Sequence, residues 1–190
     1  MILLDSTLHE LGDIDFDVDL EVGTTERSTN DFELNSNVLF AKDTAGFYVP
    51  GTEIGGLIEY SKEKTDLDFA TLKGYTWRGL LTKSIIMPPS GSDYKIVSGE
   101  ANSVIASMLS GVLGDFFTVS TAASGCTITN YQFPLYINML DGLEGMLEAY
   151  GYRLKITADK IASNQPIQIL VKRFKRSLLR EHTTKIMAFR

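Results

Sequence analysis

Apolar and acidic residues alternate strictly from Asp13 to Val22, the period of a strand with one wet face. The pattern predicts Ile14, Phe16, Val18, Leu20 and Val22 in a core. Asp13, Asp15, Asp17, Asp19 and Glu21 then face water. Shorter strands are predicted at 31–34, at 46–49 before the Pro50-Gly51 turn, and at 57–60 before a polar stretch at 61–65. Leu67, Phe69 and Thr71 alternate with Asp66, Asp68 and Ala70 ahead of Gly74. Residues 75–87 read as one long strand or a bent pair, halted by Pro88-Pro89. Short strands with glycine-rich turns and no helical period predict a small antiparallel β-barrel over residues 1–88.

The period changes after the Pro88–Ser92 stretch, which is the expected boundary. Ala101, Val104, Ile105, Met108, Leu109, Val112 and Leu113 recur at helical spacing. They predict a helix from Ser98 or Gly99 to Leu113, with Ser98 as N-cap, Glu100 in the first turn and Gly114 as its stop. A second helix is predicted over 136–149, its face made of Ile137, Leu140, Leu143, Met146, Leu147 and Tyr150, with Gly151 ending it. Residues 116–120, 127–128, 152–156 and 167–171 read as strands. The expected fold is α+β: a barrel-like part at 1–88, an α+β part with two helices at 89–171, and a tail at 172–190.

Charge sharpens that division. The chain of 190 residues has a net charge of −6, unevenly placed. Residues 1–171 carry 11 Lys and Arg against 23 Asp and Glu, a net of −12, while 172–190 carry seven basic residues against Glu181, a net of +6. A body this acidic repels phosphates, so no specific nucleic-acid partner is expected. At 44% hydrophobic residues the chain can build a sizeable core. No apolar run approaches the ~20 residues of a membrane helix, so no membrane partner is expected. Met1–Leu4 lacks a basic lead-in, so it does not read as a secretory signal. The lone Cys126 excludes an internal disulfide framework, and the expectation is a soluble chain made in a reducing cytosol.

Candidate chemistry is sparse. His9 and His182 lie far apart and outside any metal-pair spacing. Asp13, Asp15 and Asp17 have the spacing of a calcium loop, but Val18 stands where that loop needs glycine. Cys126 in Ser124-Gly125-Cys126-Thr127 reads as a packed thiol rather than a nucleophile. No phosphate loop and no distinctive carboxylate pair stands out. No catalytic, cofactor-binding or metal residue is therefore assigned. Tyr48, Tyr60, Tyr75, Trp77, Tyr94 and Phe47 are of the type that stacks sugars, yet in short strands such rings more often build cores.

A resemblance goes further. Gly74-Tyr75-Thr76-Trp77-Arg78-Gly79-Leu80-Leu81, continuing into Ile85-Ile86-Met87-Pro88-Pro89, is similar to tail proteins of long-tailed phages of Gram-positive bacteria. The likeness continues through Ser98–Ile105, Tyr131–Phe133, Leu140–Glu144 and Gly151–Leu154. Together these blocks resemble the siphovirus ReqiPepy-type tail protein family, among the baseplate-hub and tail-tip proteins, over about residues 1–171. The resemblance implies a structural part of a phage or prophage virion, placed at the tail tip and made in the host bacterial cytoplasm. It implies a homotrimeric ring that joins the tail tube and distal tail protein to host-recognition and cell-wall-degrading parts. The tape-measure protein and a receptor-binding fibre would be neighbours. The family carries no catalytic residues in these blocks, so the implied protein is no enzyme. A cell-wall hydrolase or a carbohydrate-binding module of the tail is the alternative. From Lys172 onward the likeness stops where the charge reverses, as a truncated or frame-shifted gene would leave it.

Overall fold

The computed structural model describes residues 1–13, 18–22, 30–36, 43–64, 69–113, 117–158 and 167–173. The first strands are β1 (Ile2–Leu4), β2 (Glu10–Asp13), β3 (Val18–Val22), β4 (Asp31–Ser36), β5 (Gly46–Tyr48), β6 (Gly55–Lys64) and β7 (Phe69–Thr76). They form one seven-stranded antiparallel sheet in the order β2-β1-β5-β6-β7-β4-β3. After β7 come α1 (Trp77–Thr82), β8 (Ile96–Glu100), α2 (Ala101–Leu109), β9 (Phe117–Val119), β10 (Thr127–Gln132), α3 (Met139–Ala149), β11 (Tyr152–Thr157) and β12 (Ile167–Arg173). β8 pairs with β10, and β12 lies between antiparallel β11 and parallel β9. The described fold is mixed α+β, mostly antiparallel in its sheets, with three helices.

The period-two rule sorts the core. On β1, Leu3 and Leu4 point to opposite faces, and on β5 so do Phe47 and Tyr48. Leu3 and Phe47 join Phe32, Leu34, Ala70 and Leu72 in one buried cluster, where Phe32 meets Phe47 edge-on at 4.8 Å. Leu4 and Tyr48 face the other way, toward Trp77, Leu81 and Ile86, and toward the apolar faces of α2 and α3. This part of the sheet is therefore buried on both sides. The larger cluster runs across residue 88 without interruption.

Several expectations change in the structure. The alternating segment 13–22 is not one strand of one ladder. Its first residue closes β2, which pairs with β1, and its last five form β3, which pairs with β4 at the opposite edge. Ile14, Asp15, Phe16 and Asp17 lie outside the described residues. No ladder joins β2 to β3, so the described sheet is open and no closed barrel is seen. The polar stretch 61–65 continues β6 as far as Lys64. On β7 Ala70 and Leu72 are buried, with Leu72 opposite Leu34.

The segment 75–87 holds a helix where a strand was expected. Thr76 Oγ1 accepts from Gly79 N at 3.1 Å, and Thr76 N donates to Asn30 O at 3.0 Å. That cap turns the chain out of β7 and sets Trp77 and Leu81, one helical turn apart, in the core. α2 likewise starts later than expected. Ser98 stays in β8, where its hydroxyl accepts from Asn130 N at 2.8 Å, and Glu100 becomes the N-cap. α3 matches its predicted face through Leu140, Leu143, Met146 and Leu147, but its N-cap is Asn138. The strands expected at 116–120, 127–128, 152–156 and 167–171 all appear, with boundaries moved by a few residues.

Candidate functional site

The most concentrated polar chemistry among the described residues is built around Arg78, on the exposed side of α1. Burying Trp77 and Leu81 directs Arg78 away from the core, toward the turn after β5, α3 and β11. Its guanidinium donates through Nε to Glu53 and through one terminal nitrogen to Glu144. The other terminal nitrogen donates to Leu154 O at 3.0 Å and reaches Glu53 at 3.3 Å. One planar fork thus ties four pieces of chain together, a use suited to arginine and not to lysine.

The electrostatics of the three groups differ. Burial works against the Arg78 charge, but Glu53 and then Glu144 outweigh it and hold its pKa above the ordinary value. Burial pushes the Glu144 carboxyl up, more strongly than Arg78 pulls it down, and Asp141 and Glu53 add to the rise. Arg78 is 18% exposed, against 38% and 43% for its partners. With every edge of its fork engaged, the guanidinium works as a joint. Replacing Arg78 with Met should cost about 2–3 kcal/mol, below a fully buried pair because both carboxylates keep water contact. Thermal melts of Arg78→Met, Glu144→Gln and the double variant form the cycle that checks it. Simple additivity of the two losses would show that the pair is uncoupled.

A second polar cluster fixes the loop before β10 to the start of α2. Glu100 caps α2 by accepting from Ser103 N at 3.1 Å, and its other oxygen accepts from Ser124 N at 2.7 Å and from the Ser124 hydroxyl. Burial raises the Glu100 pKa, but these donors outweigh it, so the net displacement is downward. The lowered folded-state value means that its contribution is complete above the ordinary glutamate pKa and is lost as pH falls through the folded one. Glu100→Gln should therefore lower Tm near neutrality by about 3–6 °C, for a loss of about 1–2 kcal/mol. It should also flatten the fall in Tm between about pH 6 and pH 3. An unchanged acid slope would assign that slope to other carboxylates.

The residues weighed in the sequence do not converge. Cys126 is buried, its N–H held by Ser124 Oγ at 3.1 Å, and burial pushes its thiol pKa up, away from thiolate chemistry. His9 lies on the loop from β1 to β2, its ring against Thr7 and Asp5. His182, Asp15 and Asp17 lie outside the described residues. Asp13 binds the N-terminal ammonium of Met1 at 3.0 Å. Trp77, Tyr48 and Phe47 are fully buried and belong to the core, whereas Tyr60 and Tyr94 are exposed. No group of three or more His, Cys, Asp or Glu among the described residues has metal-holding geometry.

No family model matches the chain, and no curated protein sequence does either. The site must therefore be read from its own geometry. The Arg78 and Glu100 clusters both join elements distant in sequence, and both leave their charges engaged with the protein itself. A third device does the same for backbone. The Tyr150 hydroxyl, just past α3, accepts from Thr129 N at 2.9 Å and donates to Thr129 O at 3.0 Å, closing one stretch of the outer edge of β10. No spacing pattern marks Arg78, Glu53 and Glu144 as partners, since a lone arginine and two glutamates far apart carry no such signal. Glu100 was visible only as a first-turn acid.

Among the described residues no helix is long and apolar enough to cross a membrane.

Proposed function

We propose that the chain is a structural component of a phage or prophage tail tip, a baseplate-hub protein without enzyme activity of its own. It would join the tail tube to host-recognition and cell-wall-degrading parts. The feature that carries this reading is the ordered set of blocks, from Gly74 to Leu154, that resemble siphovirus tail proteins. Their packing supports it. Trp77, Leu81 and Ile86 from the first block meet Ala101, Val104 and Ile105, then Phe133, then Leu140, Leu143 and Leu154, in one buried cluster. In this reading residues 1–88 form the barrel-like, tube-mimicking part, and the ring is a homotrimer. Clusters that fasten the chain to itself suit a load-bearing part.

The neighbouring genes test the proposal. A tape-measure gene and a distal-tail gene immediately upstream are expected, and metabolic genes on both sides would overturn it. Incubation with purified peptidoglycan tests the enzyme question separately. No soluble muropeptide is expected above a buffer control, and release of muropeptides or sugars would favour the hydrolase alternative.

A further inference from the structure

We draw no further inference here: the strongest candidate, the exposed apolar patch of Ile85, Met87, Ile96 and Tyr136 on the segments leading into α2 and α3, carries none, because nothing in the structure shows what covers it.

Discussion

Gly74→Ala is expected to be among the most damaging single-methyl additions in this protein. Gly74 sits in β7 opposite Ile58, and a Cβ built on it falls 1.9 Å from Leu57 O and 3.0 Å from Ile58 Cα. Both obstacles are backbone, so no side-chain rotation relieves them, and the β6–β7 ladder must separate locally. The neighbouring Gly56 is equally crowded, with a Cβ 2.1 Å from Tyr75 O. Beside this pair the register slips between Ile58 and Tyr60. Glycines without Cβ space next to a bulge mark a tight bend, where two backbones approach more closely than a flat ladder allows. The cost should be about 3–5 kcal/mol, the upper range of overpacking and strain, and Tm should fall by about 8–15 °C. Gly111→Ala is the control, because its Cβ meets nothing within 4 Å, and it should shift Tm little. Equal melting of the two variants would mean that the bend is softer than this geometry requires.

Trp77→Ala should be comparable, for the opposite reason. Trp77 is fully buried beneath Leu4, Tyr48 and Leu81, and truncation leaves a cavity in the larger cluster. About 4 kcal/mol is expected for such a loss, again near 10 °C in Tm. Trp77→Phe should recover more than half of it. Among the described residues the indole N–H has no hydrogen-bond partner, and it lies where a Cβ on Gly55 would come within 2.5 Å, so phenylalanine gives up volume but no bond. Calorimetry of the three proteins measures both effects. A glycan array on the native chain completes the test. Sugar binding abolished by Trp77→Ala at unchanged Tm would return Trp77 to the surface and sink the core assignment.

The contrast between these residues shows what can be read from the sequence. The α3 face and the packed thiol of Cys126 follow from local period and side-chain type. They were legible because burial repeats at 3.6 or 2 residues. The helix at Trp77 was not, since β-branched and aromatic neighbours mimic a strand and only the Thr76 cap, stabilised by Asn30 just before β4, decides otherwise. The start of α2 failed for the same reason: Ser98 is a fit N-cap, but its hydroxyl is taken by Asn130 across the ribbon. The Arg78 cluster joins residues 25, 66 and 76 positions away from it, distances at which no sequence pattern survives.

The two edge strands of the large sheet, β2 and β3, are consecutive in the chain, and that adjacency acts as a leash. From Asp13 to Val18 there are five Cα steps, a reach of at most about 19 Å. Laid flat, a seven-stranded sheet would hold its outer strands about 29 Å apart. The sheet therefore cannot lie flat while both edge ladders are made. Fibril-like stacking needs flat sheets with free, parallel rims that extend without limit. Here the short connection holds the two rims within that reach at one end, and the curl it imposes works against flat, unlimited extension.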